Sequence, residues 1–147
     1  MKILSLLLLS LFITKSGCAH SDIDMKTAVV EYVANTRGFY QKITINNQEF
    51  WVTTDRSGNE KPNKIKISDK DWNAFVGLFE KVDLIQLETL KAPTQKRFHD
   101  GAAIANLAIT YQDKKYESSS FDHGFPPEEI KKIVEKINSF AKQNNDN

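Results

Sequence analysis

Cysteine is almost missing from this 147-residue chain, where Cys18 is the only one. One cysteine excludes an intramolecular disulfide framework, so a small core has to be held by burial alone. An excess of charge of either sign is missing too, with 20 basic residues against 19 acidic. Both signs are mixed along the chain and no basic stripe forms, which argues against nucleic acid as a partner and against a polybasic membrane surface. There is no Gly-rich loop to hold phosphates, no H-E-x-x-H zinc pattern and no G-x-S-x-G elbow around Ser118-Ser119-Ser120, so no nucleophile or motif-bound metal stands out. Long apolar runs are absent apart from one, residues 3–13, broken only by Ser5 and Ser10.

That run follows Lys2 and is about half of the ~20 residues needed to cross a bilayer, so it reads as the core of a cleaved export signal. The junction Ser16-Gly17-Cys18 resembles the lipobox of bacterial lipoproteins, which implies acylation of Cys18 on sulfur and a mature N-terminus at that residue. Lys15 stands where a lipobox usually carries leucine. The rival reading is ordinary cleavage after Ala19, with Gly17 and Ala19 as the small residues of the site and a soluble product. Lipid attachment is the preferred reading, because the only cysteine sits where the lipid would need it. Lys2 and Lys15 leave with the leader, so the remaining 130 residues carry 18 basic against 19 acidic groups, a net charge of −1. That length suits one domain, here placed at 27–142, after a lipidated tether over 18–26 and before a disordered tail over 143–147.

Three runs rich in β-branched and aromatic residues, 28–34, 39–45 and 49–54, predict a strand meander. Residues 35–38 and Asn46-Asn47 supply its turns, since Asn tolerates the positive φ of tight hairpins. After a polar loop over 56–63, residues 64–67 suit a short fourth strand. Ser68 predicts a helix N-cap, with Asp69 and Asp71 complementing the dipole of a helix over 69–80. Its stripe is Trp72, Phe75, Val76 and Phe79. Leu84, Leu87 and Leu90 suggest an irregular helical turn ended by Pro93. Residues 102–111 form the clearest strand, with Ala103, Ala105, Leu107, Ile109 and Tyr111 on one face, and a turn at 112–114 leads into a strand over 115–121. Pro126-Pro127-Glu128-Glu129 opens the last helix, whose stripe is Ile130, Ile133, Val134, Ile137, Phe140 and Ala141. The expected class is α+β, a single antiparallel sheet of five or six strands with two main helices packed on one face.

Pairing the second hairpin so that residue numbers sum to about 226 places Ala103 opposite His123. It leaves His99, Asp100, Asp122 and His123 at one rim. Two imidazoles and two carboxylates there would suit a divalent metal or a hydrolase with a histidine oriented by aspartate. The structural alternative, preferred here, is that Asp100 precedes Gly101 in a turn and Asp122 bonds nearby backbone where its strand ends. No metal or cofactor is expected. Arg37 and Arg97 read as surface ion pairs or packed stems before they read as anion sites. Among the strand aromatics, Tyr40, Trp51 and Tyr116 are the candidate binding-face set, suited to a protein or glycan partner, with cross-strand stabilisation of the sheet as the alternative. The segments Arg37-Gly38-Phe39-Tyr40, Asp100-Gly101-Ala102 and 121–127 resemble small uncharacterised bacterial lipoproteins, a likeness that implies location and no activity.

These residues together predict an envelope lipoprotein in the periplasm or at the cell surface, acting as a non-enzymatic binding module. The alternatives are a metal-binding protein or hydrolase at the histidine and aspartate rim, and a secreted inhibitor-like protein. Cys18→Ser is expected to shift the protein from the membrane to the soluble fraction and to abolish palmitate labelling. A soluble wild type beginning at His20 would show cleavage after Ala19 instead.

Overall fold

The structure, a computed structural model, describes residues 24–145. The expected signal peptide over 1–17 and the acylated Cys18 lie outside the described residues. Asp24 begins a tight turn, its side chain accepting from Lys26 N–H at 3.0 Å, and Met25 packs into the core. The last part of the expected tether therefore belongs to the domain.

The chain runs through β1 (Val29–Thr36), β2 (Phe39–Asn46), β3 (Glu49–Thr53), β4 (Ile65–Lys66), helix α1 (Asp69–Phe79), β5 (Ile104–Tyr111), β6 (Lys114–Glu117), β7 (Phe121–Asp122) and helix α2 (Glu128–Asn145). Short 3-10 turns occupy Leu87–Thr89 and Lys96–His99. All seven strands form one antiparallel sheet in the order β4-β3-β2-β1-β5-β6, with β7 beside β5. This is the expected α+β class, a single sheet with two helices on one face. Helix α2 continues to Asn145, into the stretch expected as a tail.

Turn chemistry sets the registers. Asn47 and Gln48 both hold positive φ, 48° and 63°, as do Gln112 and Asp113 at 50° and 60°. Two consecutive left-handed residues make the two-residue turn whose twist matches a β-hairpin. The second turn thus lies one residue beyond the expected Asn46-Asn47. Asn46 stays in the strand opposite Glu49, and its Nδ2 donates to Ala28 O at 3.0 Å.

The strand expected over 115–121 is two strands joined by a register change. Pairs of β5 with β6 sum to 225, as in Ile109 with Tyr116. Pairs of β5 with β7 sum to 226, as in Ala105 with Phe121. Ser118 covers the join: its N–H donates to Leu107 O at 2.8 Å, and its Oγ accepts from Leu107 N–H at 3.0 Å. Leu107 thereby keeps both its backbone groups paired beside the point where one residue is absorbed, as in a β-bulge.

The core lies between the sheet and the helices. Val30, Tyr32, Ile43, Ile45, Phe50, Ala105, Leu107 and Ile109 point to the helix face and are buried. They meet Phe75 and Phe79 of α1 and the whole expected stripe of α2. Phe140 stacks on Phe50 at 5.4 Å and meets Phe75 at 6.2 Å, tying both helices to β3. Ser68 caps α1, its Oγ accepting from Asp71 N–H at 3.2 Å. Lys136 of α2 bridges to Asp71 at 2.6 Å. Among the described residues no helix is long and apolar enough to cross a membrane. Phe75 sits where both helices converge, so Phe75→Ala is expected to cost about 3 to 5 kcal/mol in denaturant melts.

Candidate functional site

The rim expected from His99, Asp100, Asp122 and His123 forms in sequence position but does not converge in space. The pairing that defines it is present, with His123 N–H donating to Ala103 O at 2.9 Å. Consecutive residues of a strand point to opposite faces. Asp122 turns under the loop before β5, and His123 turns to the helix side.

Asp122 is fully buried. Its carboxylate accepts from Thr94 Oγ1 at 2.5 Å, from the N–H groups of Lys96 at 2.7 Å and Arg97 at 3.0 Å, and from Arg97 Nη1 at 3.0 Å. Burial alone would raise its pKa. The donors from Thr94, Arg97 and Lys96 outweigh that and hold the carboxyl well below the usual carboxylate range. Asp122 is thus the anchor of the loop over residues 94–101. Arg97, expected as a surface ion pair or a stem packed on aromatics, is a largely buried ion-pair partner that lies 4.4 Å from the Phe98 ring centroid and whose Nη1 also donates to Thr94 O at 2.8 Å.

His123 is half-buried between Tyr32 and Phe39, at ring separations of 5.9 and 5.7 Å. Its Nδ1 shares a 2.8 Å hydrogen bond with the Tyr32 hydroxyl. Burial pushes His123 below its usual pKa. Burial also pushes Tyr32 up to about 12, against a smaller lowering by Asn138. Both rings are therefore neutral at physiological pH. His99 and Asp100 are exposed, and Asp100 takes a left-handed φ of 55° that closes the 3-10 turn. Gly101 follows because a Cβ there would lie 3.2 Å from Lys96 O. Among the described residues no group of three or more His, Cys, Asp or Glu side chains is placed to hold a metal ion.

The aromatics divide differently from expectation. Tyr40 and Trp51 lie on the face away from the helices, but Tyr116 pairs with Ile109 and packs against the core. The cause is the register of 225. A sum of 226 throughout would pair Tyr116 with Thr110 on the open face, and a one-residue slip reverses the facing of every side chain in a strand.

On that open face, β1, β2, β3 and the loop over 55–62 border an open basin of about 470 Å³. Its loop is pinned by Arg56, whose Nη2 donates to Asn35 Oδ1 and to Thr36 O, each at 2.6 Å. Asp55 braces the same loop by accepting from Ser57 N–H at 2.8 Å and Asn59 N–H at 3.2 Å, an Asx arrangement. Cations border both rings, Arg56 at 5.7 Å from the Tyr40 centroid and Lys64 at 5.0 Å from that of Trp51. Glu31 and Lys42 form a 2.5 Å ion pair on its floor. Thr44 stands between Trp51 and Glu31 across the strands. It is 3% exposed, and its hydroxyl has no hydrogen-bond partner among the described residues. Neither Thr44 nor Tyr32 stands out in the sequence, because a threonine or tyrosine at a strand position carries only β propensity.

Stability should fall in two acid stages. His123 has a depressed folded pKa, so its contribution is complete above its unfolded value of about 6.5 and is lost as pH falls below it. Asp122 is also depressed, so its contribution is complete above about pH 4 and lost on further acidification. Urea melts of His123→Gln should lack the upper stage. Asp122→Ala at pH 7 should cost about 3 to 5 kcal/mol, because Arg97 is left buried without its carboxylate.

Compared with protein-family models, curated proteins and solved structures, the chain finds no match.

Proposed function

We propose that this protein is an exported lipoprotein, held to the bacterial envelope by lipid on Cys18, and that its domain is a non-enzymatic binding module presenting the open face of the sheet. The observation that carries this reading is one-sided layering. Both helices cover the same face, and the opposite face carries the basin of about 470 Å³ with Tyr40 and Trp51 on its wall. Clefts of about 300 to 1,000 Å³ are typical of small-ligand sites. Rigid aromatic rings beside polar groups bury area at low entropic cost. The polar groups best suited to catalysis by residue type are engaged elsewhere: Asp122 holds a loop and His123 is paired with Tyr32.

The site makes no demand on the helix face, which the core occupies. A surface tied to the membrane by its N-terminus needs only one free face to meet a ligand in the envelope. A photo-crosslinking residue at Thr53, which lines the basin, is expected to capture an envelope component in living cells. The same residue at Lys132, exposed on α2, is expected to capture nothing specific. Equal capture from both positions, or none from Thr53, would remove the open face as the binding surface.

A further inference from the structure

We infer that the basin on the open sheet face takes a neutral polyhydroxylated ligand, a saccharide chain, with Thr44, Glu31 and Lys42 reading its hydroxyls and Trp51 packing against its ring face. The inference rests on the reading of that face as the binding surface and names the chemistry it recognises.

Charge is the first argument. Glu31 and Lys42 neutralise one another at 2.5 Å, and the loop brings Asp55 beside Arg56 and adds Glu60. No single sign dominates, so the basin lacks the field that gathers a polyanion or a polycation. Backbone bonding is the second. β1 and β2, which floor the basin, are each paired on both sides, β1 by β2 and β5 and β2 by β1 and β3, whereas β4 covers β3 only at Glu49 and Phe50. Across that floor an extended peptide finds no free edge to join, and recognition there falls to side chains.

Thr44 is the third. Its hydroxyl is buried without a partner among the described residues, and a buried polar group left unpaired is costly. The ion pair beside it is 28% and 35% exposed at its two side chains, so it can open to a ligand at small cost. A sugar hydroxyl both donates and accepts. One such group can serve Thr44 Oγ1, and adjacent hydroxyls can donate to the Glu31 carboxylate and accept from Lys42 Nζ. Trp51, directly across from Thr44, supplies the flat apolar surface that the C–H face of a pyranose needs.

The test uses the full-length protein in detergent carrying Trp72→Phe, which leaves Trp51 as the sole tryptophan of the two in the chain. Its fluorescence is titrated with maltohexaose, cellohexaose and chitohexaose, and with heparin as the charged comparison. At least one neutral oligosaccharide is expected to give a saturable change that heparin does not. Thr44→Val should weaken that binding about three- to tenfold while leaving the melting temperature unchanged or raised, since it replaces an unpaired hydroxyl by an isosteric methyl. Lys42→Met should weaken it by about tenfold or more, as expected for a hydrogen bond from a charged donor. Silence with all three oligosaccharides, tighter binding of heparin, or unchanged affinity in Thr44→Val would each overturn the saccharide assignment. Crosslinking from Thr53 to a protein alongside silence with sugars would overturn it while leaving the open face as the binding surface.

Discussion

An antiparallel strand has two faces, and this domain has helices for only one of them. That constraint organises the molecule. The side chains that share a face with Tyr32 and Ile43 are sealed by α1 and α2. Those that share a face with Thr44 and Trp51 lie away from α1 and α2; the loop over 55–62 rises beside the basin, and the loop over 94–101 closes on Asp122 at the far end of that face. The buried face supplies the apolar area that holds a domain without disulfides. The other face is free to be polar, aromatic and concave because it is not asked to stabilise the fold.

The end of the sheet where β7 meets β5 shows a different use of polar groups. Asp122 accepts bonds from three residues of one loop and from the Arg97 guanidinium. It thereby ties the long connection between α1 and β5 to the sheet edge. A buried ion pair contributes little net stability relative to an apolar pair, but losing one member leaves the other stranded. Residues of catalytic type are thus committed to architecture here, and the basin on the open face is built from residues of ordinary type.

The helices were legible in sequence because their signals are local. Ser68 with Asp69 and Asp71 marks a helix start, and the α2 stripe from Ile130 to Ala141 recurs at helical spacing. The rim was legible as a register, since Ala103 does face His123. What those side chains do was not legible. The environment of Asp122 is made by Thr94, Lys96 and Arg97, more than twenty residues away in sequence, and that of His123 by Tyr32, which lies 91 residues away.

The sequence by itself determined the class of fold, the helix positions, the meander and a chain without disulfides or a dominant charge. Each of these follows from periodicity, capping or composition, which act within a few residues. Tertiary structure alone decided which face each aromatic of the second hairpin takes, because one residue absorbed between Ser118 and Phe121 reverses every side chain on one side of it. It alone decided that Asp122 is buried and His99 exposed, and that Thr44 lies at the floor of a basin with a hydroxyl unpaired among the described residues. Burial and hydrogen-bond partnership are properties of packed neighbours, and those neighbours are brought together only when distant strands and loops close on one another.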